Sequence, residues 1–221
     1  MSAHHPRFPV PVRRRTVRWL ATAALAPIAL ATARLAPAQG ARRLAPTPQD
    51  AEGPFYPRTF PTDADSDLMR VAGRAAGAEG STLQLAGRVL GVDGSPLADA
   101  TLELWQCDVH GAYHHVGGGG TQDENFQGYG RARSGADGSY AFVAMRPVPY
   151  GGRPAHLHFR ITRAGQRTLT TQLYLQGESA ERGGFGMFSR ERERLLIAPK
   201  PAQGQGAGAL AASYTFVLDA A

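Results

Sequence analysis

Between Ala155 and Thr162 side-chain character alternates at every position: His156, His158 and Arg160 fall on one parity, Leu157, Phe159 and Ile161 on the other. An extended strand turns successive side chains to opposite faces, so the segment is predicted to bury its apolar parity and present both imidazoles together on the other side. Their Cα atoms would stand roughly 6 to 7 Å apart, which lets both rings converge on one ion.

Shorter runs of the same period surround this segment. Leu83, Leu85 and Val89 sit at even spacing, Asp93-Gly94-Ser95-Pro96 supplies turn chemistry, and Leu102 and Leu104 resume the alternation, which predicts a hairpin. Further strands are predicted at Ser139 to Val143, Thr168 to Leu175 and Ser213 to Leu218, separated by Gly, Pro, Asn or Asp clusters. Many short strands between breakers indicate an all-β sandwich or barrel. Helical periodicity is weak apart from a short turn near Ser189 to Leu196, and no internal repeat is visible.

The formal net charge of +6 invites a nucleic-acid reading, which its distribution removes. Residues 1–38 hold six arginines (Arg7, Arg13, Arg14, Arg15, Arg18, Arg34) and no acid; taking these from the 24 basic residues leaves 18, against 18 acids. The same stretch has the parts of an export signal: Arg13-Arg14-Arg15, an apolar segment from Trp19 to about Ala33, and Ala36-Pro37-Ala38 before Gln39. The consecutive arginines suggest the twin-arginine route, with cleavage after Ala38 and a periplasmic or extracellular destination. Pro27 and Arg34 argue against a stable membrane span. Residues 39–80 read as an extended lead-in with turns, and residues 81–221 as the strand-rich domain. The single cysteine, Cys107, excludes an intrachain disulfide and reads as a small buried hydrophobe.

The His-x-His pair has company. Tyr150 lies just upstream on a Pro-Tyr-Gly-Gly turn, and Tyr113 lies in a second loop after the Trp105 strand. Imidazole nitrogens with phenolate oxygens select against calcium and magnesium, which want carboxylates and carbonyls, and against structural zinc, which favours thiolates. Phenolate suits a hard ferric ion. Two phenolates and two imidazoles therefore suggest Fe(III), non-haem, one per chain.

With these residues in place the sequence resembles the intradiol ring-cleavage dioxygenases, which include the catechol and protocatechuate dioxygenases. The resemblance runs through Glu52-Gly-Pro-Phe-Tyr, Asp65-Ser-Asp-Leu, Leu102-Glu-Leu-Trp-Gln, Asp108 to Tyr113, Asp137-Gly-Ser-Tyr-Ala-Phe, Pro147 to Phe159 and Thr171-Gln-Leu-Tyr-Leu. It implies a Greek-key, immunoglobulin- or prealbumin-like β-sandwich whose long loops form the metal site. It implies Tyr113, Tyr150, His156 and His158 as iron ligands, with Tyr150 the tyrosinate that leaves when substrate binds. Arg153 resembles the arginine that stabilises charge on the substrate ring, and Gln172 the polar residue beside it. The implied partners are a catechol-type small molecule and dioxygen, the product a muconate-type diacid; no nucleic acid is implied, and a homo-oligomer is compatible.

Only five residues separate Tyr150 from His156, fewer than in familiar protocatechuate enzymes, which implies a trimmed substrate rim. The chain has no pattern for the amino-terminal helical region of familiar catechol dioxygenases, and the resemblance is closer to the protocatechuate-like, signal-bearing branch. Arg131 and Arg133 are the candidates for holding a ring carboxylate. His114 and His115 read as a solvated loop, Gly117 to Gly120 as a flexible one, and Tyr129, Tyr140, Tyr174 and Tyr214 as packing residues. Two other readings stay open: an exported metal-free β-sandwich that binds a ligand or partner protein, and a zinc hydrolase built on the His pair.

Overall fold

The structure is a computed structural model that describes residues 43–116, 120–177, 190–204 and 208–221. The export signal expected over residues 1–38 and most of the Gly117 to Gly120 loop lie outside the described residues.

Among the described residues nine strands form two sheets. The first has the order β4 (Ser139–Met145), β1 (Thr82–Gly91), β9 (Leu210–Leu218), β8 (Lys200–Pro201). The second has the order β3 (Tyr129–Arg133), β2 (Thr101–Trp105), β5 (His156–Thr162), β6 (Leu169–Leu175), β7 (Leu196–Ile197). The inner parities meet between the sheets: Leu83, Leu85, Phe142 and Phe216 from the first, Leu102, Leu104, Leu157, Phe159 and Ile161 from the second, all buried. Phe159 bridges the layers, 5.9 Å from Phe142 in an edge contact and 5.0 Å from Phe216. Such offset aromatic pairs add to the burial of their own area. The result is the all-β sandwich that the alternation implied, with one helical turn, α1 (Arg190–Glu193), near the expected place.

The predicted hairpin between Leu83 and Leu104 does not form as a strand pair. Its turn does: Gly91 N–H donates to Ser95 O at 2.9 Å, Asp93 Oδ1 accepts Ser95 N–H at 3.0 Å, and Leu97 N–H reaches Val89 O at 2.9 Å. The chain then swings at Asp99, whose φ of 59° lies in the left-handed region, and β2 enters the opposite sheet. β1 pairs instead with β4, antiparallel, and β9, parallel. Period alone shows which face of a strand is apolar; it does not say whether the next such face lies beside it or across the core.

Strand β3 carried no apolar alternation to find. Its inner positions are Gly130 and Ala132, and a Cβ on Gly130 would meet Asp65 O at 2.3 Å, so the lead-in runs directly against this backbone. The lead-in is integral to the fold. Leu68 is fully buried in the core, Thr47 N–H donates to Val217 O at 2.9 Å, Asp50 N–H to Thr170 O at 3.0 Å, and Thr171 Oγ1 to Pro48 O at 2.8 Å. Glu52 pairs with Arg160, and the Tyr56 hydroxyl donates to Glu103 at 3.0 Å. Residues 47–60 thus form a strap across the outer face of the second sheet, the face that carries His156 and His158.

Candidate metal centre

Two devices of local backbone chemistry bring the loops to this face. The Asp108 carboxylate, fully buried, organises the first: Oδ1 accepts the N–H groups of His110 and Ala112, and Oδ2 the Asp123 N–H and the His114 ring N–H, each at 2.9 Å. Burial alone would raise this carboxyl, but the N–H groups of Asp123 and Ala112, the His114 ring and the His110 N–H together hold it below the ordinary carboxylate value. The loop so folded carries Tyr113. Gly111, at φ 79°, lies where a Cβ would come within 3.0 Å of the Tyr150 Cβ, so this close approach of the two tyrosine loops needs glycine.

The second device is the Pro-Tyr-Gly-Gly-Arg turn. Gly151 and Gly152, at φ 53° and 76°, supply the two positive-φ positions of a type I′ turn, and Tyr150 and Arg153 face each other across it.

The four donor atoms form a continuous chain. Tyr113 Oη is 3.1 Å from Tyr150 Oη, Tyr150 Oη is 3.4 Å from His156 Nε2, and His156 Nε2 is 3.0 Å from His158 Nε2. Donors about 2 Å from a shared ion stand about 3 Å from one another, so these separations fit one metal. His156 Nδ1 is 2.6 Å from Pro154 O and donates to it, which assigns the tautomer and turns the Nε2 lone pair toward the other donors. Burial, with Arg153 nearby, pulls His156 down to about 4, and burial with His156 and Arg153 holds His158 well below the usual histidine value. Both rings are neutral at pH 7, the form that ligates. Burial raises both tyrosines; Arg153 opposes this in each and favours phenolate.

Aromatic neighbours fix the ligand planes. Phe55, from the strap, stacks on Tyr113 at 4.3 Å and 9°, and Trp105, opposite His158 in the sheet register, stacks on that ring at 5.0 Å and 12°. His158 Nδ1 is buried with no hydrogen-bond partner, so the stack replaces the carbonyl contact that orients His156. Arg153 Nη2 donates to Gln172 Oε1 at 2.8 Å, placing the two expected neighbours side by side.

Other expectations change. His114 and His115 are anchored, not solvated: the first is bound to Asp108 and the second, through Nε2, to Gln127 O at 2.8 Å. Tyr174 does more than pack, since its hydroxyl lies 2.8 Å from both Gln172 Oε1 and Asp50 Oδ2. Tyr129 also donates, to the buried Glu103. Arg131 is engaged by Glu103 at 3.2 Å and Arg133 by Asp99 at 3.1 Å. Cys107 is fully buried, as expected. Phe55, Trp105 and Tyr174 all fall within the quoted sequence runs, but nothing in their spacing revealed what they touch. Among the described residues no group of three or more His, Cys, Asp or Glu could hold a metal.

A family model described as Dioxygenase matches residues 51–220. The chain belongs to the intradiol ring-cleavage dioxygenase family. It is 31% identical over 174 residues to catechol 1,2-dioxygenase 1 of Acinetobacter lwoffii, covering 66% of this chain and 51% of that one. It is 33% identical over 145 residues to hydroxyquinol 1,2-dioxygenase of Nocardioides simplex, covering 57% and 46%. The chain therefore spans about half the length of the curated relatives it matches. Among solved structures, the dioxygenase domain of a dioxygenase carbohydrate-binding protein fusion from Streptomyces sp. SirexAA-E aligns with a TM-score of 0.63 at 29% identity, covering 80% of this chain and 100% of that one. Hydroxyquinol 1,2-dioxygenase from Pseudomonas putida DLL-E4 aligns with a TM-score of 0.64 at 26% identity, covering 80% and 68%.

Proposed function

We infer that this chain is an exported non-haem Fe(III) intradiol dioxygenase. It inserts both atoms of dioxygen into a catechol-type ring and cleaves between the two hydroxylated carbons to give a muconate-type diacid. The observation that carries the reading is the chain of two phenol oxygens and two neutral imidazole nitrogens, each 3.0 to 3.4 Å from the next.

Tyr113, Tyr150, His156 and His158 would hold the iron, whose Lewis acidity, when bound, acidifies the diol and opens its ring to dioxygen. The two tyrosines differ in freedom. Tyr113 is 3% exposed and clamped by Phe55, whereas Tyr150 is half-buried on a two-glycine turn. Tyr150 is therefore the phenolate placed to give way and take a proton from a substrate hydroxyl. Tyr113 stays. Arg153, fixed beside Tyr150 by the turn and by Gln172, offsets negative charge that builds on the ring. Phe55, Trp105 and the strap keep water from the reacting atoms.

Catechol or hydroxyquinol is favoured over protocatechuate, because the relatives it matches are named catechol and hydroxyquinol 1,2-dioxygenases and Arg131 is engaged by the buried Glu103. Export by the twin-arginine route rests on Arg13-Arg14-Arg15 and the apolar segment that follows. The test is dioxygen uptake on iron-loaded protein with catechol, protocatechuate and hydroxyquinol, followed by product identification. One dioxygen consumed per ring opened, with a cis,cis-muconate-type product, is the expected result. Cleavage outside the diol, or no uptake with any of the three, rejects the reading.

A further inference from the structure

Strand β6 sets Gln172 opposite His158 and Tyr174 opposite His156, so both polar side chains share the face of the imidazoles. The Gln172 amide is gripped from three sides. Its Oε1 accepts from Arg153 Nη2 at 2.8 Å and lies 2.8 Å from the Tyr174 hydroxyl, while its Nε2 donates to Ala51 O at 2.5 Å. A flipped amide would oppose donor to donor at Arg153 and acceptor to acceptor at Ala51, so one orientation is set.

The Tyr174 hydroxyl has a second neighbour. Asp50 Oδ2 stands 2.8 Å away, and Asp50 Oδ1 accepts the Ala51 N–H at 2.7 Å. Burial and the adjacent Asp50 raise Tyr174 and keep its proton in place. A phenol has one hydrogen and here faces two acceptors. Whatever residue 50 offers therefore decides how firmly the phenol holds Gln172: an acceptor competes for the hydrogen, and a donor releases it to the amide.

We propose that Tyr174 and Asp50 are positioning residues for Arg153, acting through the Gln172 amide to keep the guanidinium where charge develops on the substrate ring. The proposal rests on the ring-cleavage reading above. It makes the strap, which supplies both Asp50 and the Ala51 carbonyl, a working part of the site.

The test is steady-state kinetics of the iron-loaded full chain with catechol, joined to the tyrosinate-to-iron colour. Tyr174→Phe keeps the ring and loses one neutral hydrogen bond, so kcat falls about fivefold while KM stays within about twofold and the colour is unchanged. In a Gln172→Ala background the same substitution changes kcat by less than about twofold, because the route is already cut. Asp50→Ala releases the phenol hydrogen to the amide but frees the Ala51 peptide that holds Gln172 Nε2, so its kcat falls below that of Asp50→Asn, which keeps the Ala51 N–H contact; equal kcat in the two overturns the part given to Asp50. The proposal is overturned by an undiminished kcat in Tyr174→Phe, by an equal loss with and without Gln172, or by a loss of colour, which would place the damage at the metal. If the unaltered enzyme consumes no dioxygen, the functional reading fails instead. The crystal structure of Tyr174→Phe then decides: Arg153 still 2.8 Å from Gln172 Oε1 overturns the positioning role, and a broken contact supports it.

Discussion

Tyr150 and Arg153 exchange backbone hydrogen bonds across a two-glycine turn, Tyr150 N–H to Arg153 O at 3.2 Å and Arg153 N–H to Tyr150 O at 2.7 Å. A phenol and a guanidinium are thereby set side by side by main-chain geometry, before any side-chain contact acts. Gly152→Ala forces a left-handed conformation on an L residue at a cost of about 1 to 2 kcal/mol. At this chain length that lowers Tm by about 2 to 8 °C. The activity loss should be larger than the stability loss, since a displacement of about 1 Å at reacting groups costs about a hundredfold. Calorimetry and dioxygen uptake on one preparation check this; full kcat/KM at reduced Tm would show that the turn does not register the site.

The two tyrosines should part company on substitution. Tyr113→Phe and His158→Ala are expected to abolish iron retention or the tyrosinate-to-iron colour while circular dichroism stays β-rich. Tyr150→Phe should keep iron, shift the colour to that of a single tyrosinate and slow substrate deprotonation. Stoichiometric iron with unaltered colour in Tyr113→Phe and His158→Ala would remove those positions from the centre.

Asp108 links pH to the architecture of the Tyr113 loop. Its carboxyl sits below the ordinary value of 3.8 in the folded chain, so the unfolded chain binds the proton more readily. Its contribution is complete above that unfolded value and is lost as pH falls through the lower, folded one. Urea unfolding of the protein at pH 5 and pH 3 should therefore show a loss of stability that is smaller in Asp108→Asn, whose own stability at pH 5 is already reduced by about 1 to 3 kcal/mol. An Asp108→Asn profile parallel to that of the unaltered protein would refute the assignment.

His158 should owe its orientation to Trp105. Trp105→Leu removes the stacked ring and leaves Nδ1 without either kind of support, so iron affinity is expected to fall about tenfold or more, on the scale of other changes just behind metal ligands. Trp105→Phe should fall between. Iron remaining after dialysis against a chelator series measures the difference, and equal retention in all three proteins would dismiss the stack.

Much of this site was legible in the sequence because its chemistry travels in short local patterns. His156 and His158 announce themselves by period, and the Tyr150 turn by its glycines. Tyr113 was reachable only through the combination of residue types and the family resemblance, since no local rule separates it from Tyr129 or Tyr174. The misreadings share a cause. The hairpin failed because alternation is blind to which sheet a strand joins, and the packing role expected of Tyr174 and the solvated loop expected of His114 and His115 miss partners, Asp50, Asp108 and Gln127, that arrive through space. β3 shows no apolar period because its inner positions are Gly130 and Ala132, the first a place where another segment passes too close for a side chain.

The strap closes contacts between residues far apart in the chain: Arg160 with Glu52 across 108 positions, Gln172 with Ala51 across 121, Tyr174 with Asp50 across 124. Contacts of such long sequence separation carry a larger loop-closure cost than the β2–β5 and β5–β6 pairings of the sheet beneath them, so the strap is expected to dock after that sheet. His156 and His158 would then be in place while their roof is still open, leaving an incoming ion a doorway that the last step shuts. Refolding with iron present from the start should then yield more coloured protein than adding iron after the tryptophan fluorescence has recovered, and equal yields would mean that the doorway never closes.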